Sequence, residues 1–275
     1  MAFHQRSAAA LDYLSCRYGR SRLLFRGPSR SLDRPFVAFL GGSETYGKFV
    51  PTPFPALCET ATGRVSVNLG AMQAGPDVWL NDPAVLDVAA RAAVTVVQIP
   101  GAVNLTNRLY SVHPRRNDRF LRASPLLQSL YREVDFTEFS FVRHMLGSLR
   151  AASPDKFGVL AEELRQAWQG RMKTVLSRLP GVKVLLWVGS AAPPAAGQAL
   201  VPEGDAPLVD RAMIDAIRRH ANEYVEVVTS PFARAQGTAG MVFDSSEEAA
   251  ARGLPGPAAH AEIAGALAPV LRGLG

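Results

Sequence analysis

Five short apolar runs, rich in β-branched residues, punctuate the chain: Pro35–Leu40 (PFVAFL), Arg64–Asn68 (RVSVN), Val94–Ile99 (VTVVQI), Val182–Val188 (VKVLLWV) and Tyr224–Thr229 (YVEVVT). Runs of this length, closed by Gly, Pro or Asn, predict buried strands. Between them the apolar positions switch to helical spacing. Val85, Leu86, Ala89 and Ala92 share a face after Asp82-Pro83, where Asp82 is an N-cap candidate. Phe157, Leu160, Leu164, Trp168, Val175 and Leu179 form a long stripe. Val209, Met213, Ala216 and Ile217 form another, and Ile263, Leu267, Val270 and Leu271 a last one.

Strands alternating with helices predict an α/β fold: a parallel sheet covered on both faces. With five strands the expected layout is flavodoxin-like and doubly wound, in the order 2-1-3-4-5. The crossover from Gly101 to Gly181 is too long for one helix. It is expected to carry a helical insertion at about 105–180, with helices over Ser124–Tyr131, Phe136–Arg150 and Pro154–Leu179 and a loop at Tyr110–Arg122. Gly189–Pro207, rich in Ala, Pro and Gly, is expected to be a mobile loop. No composition shift marks a boundary, so residues 1–275 are expected to form a single domain.

Composition narrows the classes. A hydrophobic share of 48% excludes disorder as the main state. Cys16 and Cys58 are too few for a disulfide framework and make no paired metal motif, so neither metal nor cofactor is expected. The first twenty residues lack the apolar core of a secretory leader. The longest uncharged run, Val184–Pro202, is broken by Gly and Pro. No transmembrane segment and a cytoplasmic location are the expectations. The net charge of +6 comes mostly from arginine and permits an acidic partner. Without zinc-finger spacing, RNA-binding aromatic motifs or a long basic tract, nucleic acid is not expected.

In open α/β sheets ligands bind beyond the carboxyl ends of the strands. After the first run comes Gly41-Gly42-Ser43-Glu44-Thr45, a sharp turn that sets Ser43 at a helix start, either as an exposed hydroxyl or as a plain N-cap. After the second comes Gly70, able to aim an N–H at a ligand or simply to turn the chain. After the third comes Gly101-Ala-Val-Asn104-Leu-Thr-Asn107, where an amide could hold an oxyanion or cap a loop. Near the end, Leu254-Pro-Gly-Pro-Ala-Ala-His260 opens a helix with a base or a surface histidine.

Taken in chain order, Ser43, Gly70, Asn104 and His260 resemble the four blocks of the SGNH (GDSL-like) hydrolase superfamily. GGSETYGKF, NLGAMQAGPDVWLNDP, HPRRNDRFL and LPGPAAH look like a bacterial group of uncharacterised SGNH-like proteins. The resemblance implies Ser43 as nucleophile, Gly70 and Asn104 (with Asn107 as alternative) as oxyanion donors, and His260 as base. Pro257 stands where the superfamily usually has an aspartate. A backbone carbonyl or Asp244 would then orient the imidazole.

The segment His113-Pro-Arg115-Arg116-Asn-Asp-Arg119-Phe-Leu-Arg follows the third strand and is expected to overhang the same crevice. Planar guanidiniums suit carboxylate, sulfate or phosphate. His113, Arg115, Arg116 and Arg119 are the substrate-binding candidates; a solvated loop or an internal ion-pair network is the alternative. The resemblance implies an esterase or acyltransferase acting on an O-acyl group of a small molecule or carbohydrate, and the arginines suit an anionic one. The alternatives are a non-catalytic domain binding an anionic glycan or partner, and a sulfo- or other anionic group transferase. The aromatic cluster Phe136, Phe139 and Phe141 belongs to a core, or to a homo-oligomer patch if exposed.

Overall fold

A computed structural model describes residues 11–196, 198 and 201–274 of the chain. Residues 1–10, the first half of the stretch read for a leader, lie outside that set. So do 197, 199 and 200 of the expected Gly189–Pro207 loop.

Among the described residues seven strands form: β1 (Phe36–Gly41), β2 (Val65–Gly70), β3 (Val94–Gln98), β4 (Tyr110–His113), β5 (Arg116–Ala123), β6 (Val182–Gly189) and β7 (Glu223–Val228). Five of them make one parallel sheet in the order β2-β1-β3-β6-β7, the flavodoxin-like layout. These are the five expected runs, displaced by a residue or two at their ends.

The central strands β1 and β3 and most of β6 are buried on both faces because they are mostly apolar at successive positions. Val37 and Phe39 of β1, Val94 and Val96 of β3, and Val184 and Leu186 of β6 point to one side. There they meet Phe54 and Cys58 of α2 (Phe54–Thr62) and Ile263, Leu267 and Leu271 of α11 (Pro257–Gly273). Phe36, Ala38, Leu40, Val97, Leu185 and Trp187 point to the other side. That larger core includes Trp79 of α3 (Pro76–Leu80), Val85 and Leu86 of α4 (Pro83–Ala90), Trp168 of α7 (Pro154–Ser177) and Met213 and Ile217 of α8 (Arg211–Arg218). Period two in the strands thus feeds two cores. The remaining helices are α1 (Ser43–Tyr46), α5 (Pro125–Leu130), α6 (Val142–Ala152), α9 (Pro231–Ala235) and α10 (Glu248–Arg252). Among the described residues no helix is long and apolar enough to cross a membrane.

Two expectations in the insertion need correction. Tyr110–Arg122 is no loop: β4 and β5 pair antiparallel as a two-stranded ribbon. Tyr110, Val112, Phe120 and Ala123 bury their side chains inward, while Arg115, Arg116 and Arg122 are exposed. Register shifts around Val112 break the simple alternation, so the segment reads as polar. The expected helix Phe136–Arg150 is split into a short 3-10 turn, Phe136–Glu138, and α6. Asp135 caps the turn by accepting from the Thr137 N–H. Ser140 and Phe141 are then held extended against β5, where the Phe120 N–H donates to the Ser140 carbonyl at 3.1 Å.

Candidate active site

β1 runs straight into α1, and Ser43 occupies the first position of that helix with Gly42 as N-cap. Ser43 is therefore not the capping residue, and its hydroxyl is available for another bond. Gln98, at the end of β3, anchors the turn. Its Oε1 accepts from the Gly42 N–H (3.1 Å) and the Thr45 hydroxyl (2.5 Å), while its Nε2 donates to Glu44 (2.9 Å). Asn68 anchors the far side, donating to the Thr45 carbonyl (2.8 Å) and accepting from the Gly70 N–H (2.9 Å). The Gly70 N–H is thus engaged inside the scaffold. Gly70 is required there by close approach: a Cβ would sit 2.4 Å from the Tyr46 nitrogen.

Ser43 and Asn104 meet through one residue, Gln73. The Gln73 N–H donates to Ser43 Oγ at 3.0 Å, and the Gln73 carbonyl accepts from Asn104 Nδ2 at 3.1 Å. Gln73 adopts φ +54°, a left-handed conformation that costs a non-glycine residue energy. Two contacts hold the backbone just after it. Gly75 lies so close to the Asn104 carbonyl that a Cβ would be 1.7 Å from it. Asn117, fully buried, accepts from the N–H groups of Gly75 (3.1 Å) and Val78 (3.0 Å) and donates to the His113 carbonyl (3.0 Å). Asn107 folds back on its own loop, accepting from the Leu109 and Tyr110 N–H groups. Of the two asparagines, only Asn104 faces the serine's loop.

His260 is 1% exposed, in the first turn of α11. Its Nδ1 accepts from the Phe54 N–H at 2.9 Å, and its ring stacks on the Phe54 ring. The other ring nitrogen therefore carries the proton. Burial first, then the nearby Arg26 charge, push the imidazole pKa down to about 3. The ring is neutral at ordinary pH, with its Nδ1 engaged by the Phe54 N–H. No hydrogen bond joins it to Ser43 among the described residues. Asp244 is spent on Ser246, accepting from its N–H and its hydroxyl.

A cavity of about 1280 Å³ opens above the carboxyl ends of β1, β3 and β6. Ser43, Gln73 and Asn104 lie along it, with Glu44, Asp118, Arg143 and His144 among its polar wall. Asp118 and Phe141 are the parts of the ribbon region that reach it. Arg119 stacks its guanidinium 4.0 Å from the Phe141 ring centroid, one layer behind. His113 and Arg116 pair across the ribbon turn, and Arg115 lines a separate depression. The wall's charge is mixed: Arg252 pairs with Glu248, and Asp205 accepts from Ser190. Among the described residues no group of three or more His, Cys, Asp or Glu side chains is placed to hold a metal ion.

Gln73, Gln98 and Asn117 were not candidates in the sequence. Gln73 acts through its backbone, which leaves no side-chain signal. Asn117 is hidden in an arginine-rich run, and Gln98 in an otherwise apolar strand.

The chain is similar to a solved structure described as the crystal structure of the lipase Lip_vut3 from goat rumen metagenome. The two share 15% identity over 88% of this chain and 98% of that one, with a TM-score of 0.39. No curated protein matches. A family model described as a domain of unknown function, DUF6473, matches residues 1–275, and the chain belongs to that family.

Proposed function

We propose that this chain is an SGNH-like serine esterase or acyltransferase, with Ser43 as the nucleophile toward an O-acyl substrate in the large cavity. One observation carries the reading: the Ser43 hydroxyl stands at the first helical position after β1, in the wall of the cavity that Asn104 also lines, and Gln73 bonds to both. Because Oγ accepts from the Gln73 N–H, its own proton remains free to leave. Attack on the ester carbonyl carbon would form the Oγ–C bond and push the carbonyl electrons onto oxygen. The Ser43 N–H, without an intrahelical partner at its position, and the second Nδ2 proton of Asn104 are the donors for that oxyanion. The tetrahedral adduct would expel the alkoxide, and water or an acceptor hydroxyl would release the acyl group from Ser43. His260 would take the Ser43 proton only after its Nδ1 gives up the Phe54 N–H. The polar wall of mixed charge suits a hydroxyl-rich leaving group such as a carbohydrate.

The second reading is a non-catalytic domain that binds such a ligand in the same cavity. The committed imidazole of His260 and the proline at 257 favour it. Labelling with an alkyl fluorophosphonate separates the two. Esterase chemistry predicts covalent labelling of the wild type and none of Ser43→Ala. Absence of labelling, with saturable binding of an acylated oligosaccharide, would support the binding domain.

A further inference from the structure

We infer that the depression between α4 and the turn of the β4–β5 ribbon is a second binding site, for a small phosphate or sulfate ester. It holds about 620 Å³, within the range of small-molecule pockets, and shares no lining residue with the Ser43 cavity. Four arginines line it from three segments: Arg20 and Arg22 from the loop after Tyr18, Arg91 from the end of α4, and Arg115 from the ribbon turn.

All four arginines are exposed, so solvent screens their mutual repulsion and leaves a cationic face open to an anion. None of the four forms a salt bridge among the described residues, whereas nine other cations do. Two acids line the depression, Asp82 and Asp87. Asp82 is already committed: its Oδ2 accepts from the Ser21 hydroxyl (2.8 Å) and the Arg22 N–H (3.0 Å). Those bonds staple the arginine-bearing loop to the start of α4, so the loop is fixed before any ligand arrives. Arg91 spends one N–H on the Leu32 carbonyl at 3.3 Å. The remaining donors are free to grip oxyanion oxygens in pairs. Asp87, whose carboxylate has no hydrogen-bond partner among the described residues, can accept from a hydroxyl or amine, and Val88 and Pro114 offer an apolar surface. A bare inorganic ion would leave Asp87 and that surface unused, so an ester of a polar small molecule fits best.

Isothermal titration with inorganic pyrophosphate, ADP and glucose 6-sulfate, at fixed ionic strength, tests this. Adenosine and glucose are the neutral controls. The expected result is saturable binding of an ester probe, weakened about tenfold or more in Arg22→Gln/Arg115→Gln, as loss of charge-assisted bonds implies. Arg143→Gln, in the other cavity, should leave it unchanged. Stronger binding of ADP than of glucose 6-sulfate assigns a phosphate ester, and the reverse a sulfate ester. Arg91→Gln is the second variant, should the double substitution disturb folding. No saturable binding of any probe would overturn the site. So would equal weakening by Arg143→Gln, or pyrophosphate binding that Arg91→Gln and the double variant leave intact.

Discussion

Ser43 Oγ accepts a hydrogen bond from the Gln73 N–H at 3.0 Å, across 30 residues of sequence. The serine therefore has two duties: it presents a hydroxyl to the cavity, and it holds the loop that carries Gln73. Ser43→Ala should lose fluorophosphonate labelling completely and also lose about 0.5–1.5 kcal/mol of stability, the usual net worth of one such bond. Thermal unfolding and intact-mass labelling read the two effects separately. Unchanged labelling would place the nucleophile elsewhere.

The left-handed backbone of Gln73 makes an opposite pair of substitutions informative. Gln73→Gly keeps the N–H and removes the Cβ clash, so its melting temperature should equal or exceed that of the wild type. Gln73→Val puts a β-branched side chain at φ +54° and should lower it by several degrees. If valine is tolerated as well as glycine, the loop does not hold this conformation in solution.

Asn117 offers a stability test away from the proposed chemistry. Asn117→Ala would strip the acceptor from two N–H groups, Gly75 and Val78, at a fully buried position. An unsatisfied buried donor costs about 1–3 kcal/mol. The variant should unfold in less denaturant and, if it stays folded, label more slowly at Ser43. A wild-type denaturation midpoint would show that water takes over both bonds.

His260 predicts a pH dependence. Its folded pKa, about 3, lies below the ordinary histidine value of 6.5, so the unfolded chain takes up the proton first as pH falls. Stability present above about pH 6.5 is then lost toward pH 3, at up to about 1.4 kcal/mol per pH unit. His260→Asn keeps an acceptor for the Phe54 N–H but cannot titrate. Its melting temperature should fall less steeply over that window, and parallel curves would sink the assignment. Under the esterase reading the same variant should also lose at least about 10²-fold in turnover while folded, the scale of a general base. Under the binding reading, ligand affinity should be untouched.

The fold was legible because its strands are unambiguous. Val94–Gln98 and Val182–Gly189 are apolar on both faces, as parallel strands between two helical layers must be. The ribbon was not, because its inward residues Val112 and Phe120 are separated by Pro114, three arginines and a register shift. The position of Ser43 could be read from two glycines after an apolar run. The state of His260 could not: a histidine three residues into a helix is usually exposed. Only the packing of α11 on α2 buries it against Phe54. Gln73 is the limiting case, since a backbone donor in a left-handed loop has no letter in the sequence.

The ribbon that looked like a charged loop also ties distant parts of the protein together. Its turn, at Pro114 and Arg115, borders one cavity; Asp118 borders the other; and Asn117, between them, grips the loop that carries Gln73. The two cavities thus border different residues of one short ribbon. A ligand that shifted the turn would pull, through Asn117, on the serine's loop. Linkage then requires the reverse: whatever factor one ligand imposes on the other's affinity is returned in equal measure.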